Sequence, residues 1–147
     1  MQAFIMNENR QLQLRDMPEP AAADDNAIVR VRYASICGTD VRTYTKGSEK
    51  LKVLPRIQGH ECVGILEHAG KAAREAGLHV GDRVTLAPAV GCGTCWPCLQ
   101  GHSNMCDDLK TIGFEYDGTF AEKVEIPEGA VRRGHLIRVP EDRKSVV

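Results

Sequence analysis

Hydrophobic and polar positions along this chain alternate in short runs, and almost every run is closed by glycine or proline. Residues 1–6 and 12–16 read as two strands joined by the polar turn Asn7-Glu8-Asn9, with Pro18 and Pro20 ending the unit. Residues 27–33, Ala-Ile-Val-Arg-Val-Arg-Tyr, alternate and are rich in β-branched side chains, which predicts a third strand. Further strands are expected at 61–68, opened by Gly59 and closed by Gly70, at 83–87 before Pro88, and at 120–126 and 136–139. One short helix is predicted over 39–44, with Thr39 or Gly38 as its cap and Gly47 as its stop. Residues 71–77 are polar and read as a loop with at most one helical turn. Many short strands between Gly and Pro turns, with hardly any helix, predict a mainly β fold of Greek-key or barrel type.

Composition narrows the function classes. The 147 residues suit one domain burying roughly 70% of its unfolded surface. Twenty acidic side chains balance nineteen basic ones, so charge gives no case for nucleic acid or membrane as a partner. No apolar run reaches bilayer length, and residues 1–9 lack the cationic head and apolar core of a secretory leader. With six cysteines and no export signal, a reducing cytoplasmic location is the expectation. Residues 143–147, Arg-Lys-Ser-Val-Val, carry no capping or turn chemistry, which reads as the edge of a domain taken from a longer protein.

Four cysteines then dominate the picture: Cys92, Cys95, Cys98 and Cys106, spaced x2, x2 and x7. Cysteines two residues apart rarely reach disulfide geometry, but they can surround a soft tetrahedral ion. Gly91, Gly93 and Pro97 supply the turns that aim the sulfurs at one centre. Residues 91–106 therefore form a metal lobe, read as a closed structural zinc site with an expected extent of about 91–110. An iron–sulfur cluster is one rival, disfavoured by the long final spacing and the absence of a following proline. His102 in place of one sulfur is another.

A second set is dispersed: Cys37-Gly38-Thr39-Asp40 and Gly59-His60-Glu61. Alone, Cys37 is a small buried hydrophobe and His60 a satisfied core histidine. Together, a thiolate and an imidazole from neighbouring loops with an adjacent carboxylate describe an incomplete zinc site of catalytic character. Asp40 can accept from the second ring nitrogen of His60, and Thr39 offers a hydroxyl nearby.

These residues carry a resemblance. Gly59-His60-Glu61 with Gly64 and Gly70, then Gly81-Asp82-Arg83-Val84, and the four-cysteine lobe are similar, in order and spacing, to the N-terminal catalytic domain of zinc-dependent medium-chain alcohol and polyol dehydrogenases. The resemblance implies a GroES-like, partly open β-barrel over residues 1–147 with a protruding zinc lobe. It implies Cys37, His60 and Glu61 as catalytic zinc ligands, Thr39 passing a substrate proton, and Asp40 orienting His60. It implies a Lewis-acid zinc acting on a small alcohol, polyol or hydroxy amino acid, with hydride passing to NAD or NADP. Arg42 stands where many relatives have a histidine of the proton relay, and arginine does not shuttle protons. No strand leads into G-x-G-x-x-G and a helix, so the Rossmann cofactor domain and a further zinc ligand are expected beyond this chain. The chain alone is thus expected to be inactive, with its catalytic zinc weak or missing, and the full-length protein to be a homo-oligomer.

The remaining candidates are read more plainly. Cys62 is a core thiol, His68, His79 and His135 lie on the surface, Tyr44 is packed, and Arg132 and Arg133 are solvated. Trp96 is expected to anchor the lobe against apolar surface or to meet another subunit. The non-enzymatic alternative is a zinc-stabilised interaction module holding one metal, with no task for Cys37 or His60.

Overall fold

The computed structural model describes residues 1–140; the run read above at 143–147 lies outside them. Strands β1 (Gln2–Met6) and β2 (Leu12–Asp16) form the expected hairpin, in register from Gln2↔Asp16 to Met6↔Leu12. Its turn is set by Asn7, whose Oδ1 accepts the amides of Asn9 at 3.0 Å and Gln11 at 2.9 Å. Strand β3 (Asn26–Ala34) leads into helix α1 (Gly38–Lys46), then the two-residue β4 (Arg56–Ile57) and the long β5 (Cys62–Ala69). Helix α2 (Lys71–Glu75), β6 (Arg83–Leu86) and β7 (Ala89–Val90) precede the cysteine lobe, which contains α3 (Trp96–Leu99) and a 3₁₀ turn at Ser103–Met105. Then come β8 (Lys110–Thr111), β9 (Lys123–Pro127), α4 (Glu128–Arg132) and β10 (Leu136–Arg138).

Five strands make the main sheet in the order β10-β6-β5-β3-β9; β2-β1-β4 and β7-β8 are separate. An Ala3↔Ala121 bridge and the Phe4 N–H to Phe120 carbonyl bond at 2.8 Å stitch the small sheet to the approach of β9. Strands β2 and β10 stay unpaired on their outer sides among the described residues, so the barrel is partly open. The core comes from inward positions of the main sheet, among them Val29, Leu66, Val84, Val124 and Ile126, closed by Ala72 and Ala73 of α2 and Ala130 and Val131 of α4. Truncating a fully buried side chain such as Leu66 to alanine costs about 2–5 kcal/mol. Outside, the Arg30–Glu67–Lys123–Glu19 ion pairs are open to solvent, whose screening keeps their contribution to stability small.

The loop-like stretch at 71–77 holds the helical turn the sequence allowed, α2, where Ala72 and Ala73 face the core and Arg74 donates to the Ala69 carbonyl at 2.6 Å. Several expectations change. Helix α4 follows directly from a strand that the sequence pattern carries only to residue 126, with Pro127 as its cap. The cap of α1 is Cys37, not Thr39 or Gly38, while Gly47 at φ +82° ends the helix as expected. His135 is buried at 8% exposure, not on the surface; its amide donates to the Ala130 carbonyl at 3.0 Å and its carbonyl accepts the Ala87 amide at 2.8 Å. Trp96 is 72% exposed, not anchored within its own chain, and Tyr44 is 51% exposed rather than packed.

Candidate functional site

The four lobe sulfurs converge within 4.8 Å of one another. They are free thiols; Cys95 Sγ and Cys106 Sγ stand 3.7 Å apart, well beyond a disulfide bond. Backbone turns aim donors at them: the Cys92 amide at Cys106 Sγ (3.1 Å), and the Thr94 and Cys95 amides at Cys92 Sγ (3.4 and 3.3 Å). The Thr94 hydroxyl and amide, with the Cys95 amide, hold the Cys92 thiol down at about 6, although burial opposes them. Cys98 behaves oppositely: the Gly93 amide lowers it, but desolvation and the crowding Cys95 and Cys106 sulfurs push it up to about 12. Four sulfurs crowded to one centre with backbone amides aimed at them are the donor arrangement of a tetrahedral thiolate site. Gly91 completes the cradle, since a β-carbon there would lie 2.8 Å from Cys98 Sγ. These residues fit zinc, and His102, exposed beside them, is not required.

The dispersed set also converges. Ligand atoms of Cys37, His60 and Glu61 lie within 4.8 Å of one another. Cys37 arrives as the N-cap of α1; His60 and Glu61 arrive on irregular backbone between β4 and β5. Asp40 sits between the two arms. Its Oδ2 accepts the Cys37 amide at 2.8 Å, and its Oδ1 lies 3.2 Å from His60 Nδ1. Both Asp40 and His60 are buried, and Nδ1, although 3.2 Å from Asp40 Oδ1, makes no hydrogen bond. Glu61 is held by the Ser35 hydroxyl, 2.5 Å from Oε2, which lowers the carboxyl against desolvation, with help from Cys37 and His60. A thiol, an imidazole and a carboxylate around one point suit a zinc site with an open position.

Thr39 is half-buried on the first turn of α1, and Arg42 and Tyr44 are exposed further along it. A cleft of about 520 Å³, lined by Tyr33, Ser35, His60, Glu61, Thr85 and Leu86 among others, opens beside the site. Cys62 turns into the core, where burial raises its thiol to about 12, as its strand position predicted. Sequence reading missed Ser35, Phe114 and Thr119, which reach this site from elsewhere in the chain, and Arg133, whose guanidinium binds the Cys92 carbonyl at 2.6 Å and ties the lobe to α4. No local spacing signals such long-range partners.

Residues 23–140 match the alcohol dehydrogenase GroES-like domain. The chain belongs to that family. It is 34% identical, over 97% of its length, to an uncharacterized zinc-type alcohol dehydrogenase-like protein of Haemophilus influenzae, of which it spans 40%. It is 36% identical, over 86% of its length, to the L-threonine 3-dehydrogenase of Bacillus velezensis, spanning 37% of it. Among solved structures, an alcohol dehydrogenase of Escherichia coli CFT073 in complex with NADH superposes with a TM-score of 0.81 at 30% identity, over 96% of this chain and 39% of that one. The GroES-like domain seen here thus corresponds to two fifths or less of each of these proteins. No helix among the described residues is long and apolar enough to cross a membrane.

Proposed function

We propose that this chain is the substrate- and zinc-binding domain of a zinc-dependent, NAD(P)-linked dehydrogenase that oxidises a small alcohol, polyol or hydroxy amino acid to its carbonyl. The observation that carries this reading is the convergence of Cys37, His60 and Glu61 from two separate chain segments, with Asp40 wedged against both. In this reading the Cys92, Cys95, Cys98 and Cys106 lobe holds a structural zinc, and Cys37 and His60 hold the catalytic one. Bound there, zinc supplies Lewis-acid polarisation of the substrate oxygen.

The chain's own residues do the rest. Asp40, 3.2 Å from Nδ1, orients the His60 ring toward Cys37 and Glu61. Ser35 holds the Glu61 carboxylate beside the open position. Thr39 passes the substrate's proton towards solvent, its hydroxyl accepting that proton as its own O–H proton leaves, and Arg42, permanently charged, reaches a phosphate or carboxylate group rather than relaying protons. The nicotinamide belongs to a Rossmann domain outside this chain, and the full-length protein is a cytoplasmic homo-oligomer whose lobe presents Trp96, Leu99 and Met105, all well exposed here.

Alcohol-dependent NAD reduction tests the assignment. The 147-residue chain is expected to show none. The full-length protein is expected to be active and to lose that activity in Cys37→Ser and His60→Ala. Retained turnover in either variant contradicts it, as does turnover by this chain alone. The interaction-module reading leaves the Cys37, His60 and Glu61 cluster without a purpose and is the weaker one.

A further inference from the structure

Residues 58–61 belong to no strand or helix, yet they carry His60. Backbone without a ladder must find its hydrogen bonds elsewhere. The Gln58 amide donates to the Phe4 carbonyl (3.3 Å) and the Glu61 carbonyl accepts the Ser35 amide (3.2 Å), while the carbonyls from Ile57 to Gly59 are held by one distant segment. The Gly118 amide donates to the Ile57 carbonyl (2.9 Å), the Thr119 amide to the Gly59 carbonyl (3.0 Å), and the Phe120 amide to the Gln58 carbonyl (2.8 Å). The Gln58 side-chain amide returns a bond to the Gly113 carbonyl at 3.3 Å. Thr119 is fully buried, and its hydroxyl lies 3.4 Å from the Glu61 carbonyl. One residue therefore grips both peptide neighbours of His60, Gly59 by its amide and Glu61 by its hydroxyl.

The packing agrees. The Phe114 ring lies 6.3 Å from the His60 ring, tilted by 43°. The Phe120 ring covers Gly59, where a β-carbon would come within 2.5 Å of it and where φ is +90°. On the other side, Asp40 limits the imidazole from α1.

We propose that Thr119 is a positioning residue for the Cys37–His60–Glu61 site, the centre of a clasp that fixes the His60 backbone so that the imidazole meets Cys37 and Glu61 at one point. This rests on the reading of that cluster as a metal site. Residues that orient metal ligands typically set affinity by about 10–100-fold, and Thr119 falls in that class through the backbone.

The test uses the 147-residue chain with its lobe first filled by one equivalent of zinc, followed by titration with cobalt(II) and visible absorption. The wild-type chain is expected to show a second, weaker cobalt signal that Cys37→Ser removes. Thr119→Val, which keeps the shape and deletes the hydroxyl, is expected to weaken that binding at least about tenfold. Thr119→Ser, which keeps the hydroxyl, is expected to restore most of it, an outcome that a purely space-filling role does not produce. Should the valine variant not fold, the serine and alanine variants make the same comparison, with affinity kept in the first and lost in the second. Equal cobalt affinity with and without the hydroxyl overturns the clasp and leaves the metal site standing. Where the 147-residue chain shows no second cobalt signal, the same titration of the full-length protein and its Thr119 variants decides, and no second signal there overturns the metal reading itself, and the clasp with it.

Discussion

Asp40 stands with one carboxylate oxygen 3.2 Å from His60 Nδ1 while its other oxygen caps helix α1 through the Cys37 amide. One side chain thus couples a helix end to the orientation of an imidazole. It also explains why a buried carboxylate is tolerated here, since it faces an amide and a ring nitrogen rather than apolar surface.

Asp40→Ala is therefore expected to act on two quantities. Loss of the reach-back to the N-cap amide should lower stability by about 1 kcal/mol, seen in thermal denaturation. Loss of the His60 partner should weaken metal at the Cys37 site by about 10–100-fold in a cobalt titration. A variant that loses stability while keeping full cobalt affinity would show that Asp40 serves the helix only.

Trp96, the only tryptophan, lies within the cysteine lobe on α3 and reports on it alone. If a metal holds the lobe, chelation should lower the fluorescence anisotropy of Trp96 and expose the lobe to protease, while the main sheet keeps its circular dichroism. Cys95→Ser should reproduce the effect without chelator. An anisotropy unchanged by chelation or by that substitution would mean the lobe is held by its own packing.

His135 gives a pH prediction. Burial, and then the nearby Arg133 charge, lower its pKa below the usual 6.5, and its Nε2 has no hydrogen-bond partner. With the folded value depressed, the unfolded chain binds the proton more readily. Stability is therefore complete above pH 6.5 and falls as pH drops below it, by at most about 1.4 kcal/mol per pH unit for one proton. Denaturant melts of the zinc-loaded protein at several pH values should show this slope, and His135→Leu should flatten it. An identical slope in the variant would assign the effect to other groups.

The hairpin, the main strands and both cysteine-bearing motifs were legible in the sequence because period-2 alternation, Gly and Pro punctuation and ligand spacing are local signals. At 71–77 at most one turn was legible, because α2 is a short polar helix whose helicity comes from packing Ala72 and Ala73 rather than from amphipathic length. His135 could not be placed from its neighbours, since it lies in the link between α4 and β10, where neither helical nor strand periodicity speaks for it. Within the site, Cys37, His60, Glu61 and Asp40 were visible as candidates, whereas Thr119 and Phe114 were not: they reach His60 across more than fifty residues of chain, and the sequence carries no mark of that contact.

Two metal sites of different strength are the centre of this account. Native mass spectrometry of the 147-residue chain at rising zinc, with Cys95→Ser and Cys37→Ser beside the wild type, addresses them together. The expected result is one tightly held zinc that Cys95→Ser abolishes and a second, weaker zinc that only Cys37→Ser removes. A lobe that takes no zinc or whose cysteines are recovered as disulfides, or a full-length protein that never takes a second zinc, would contradict it.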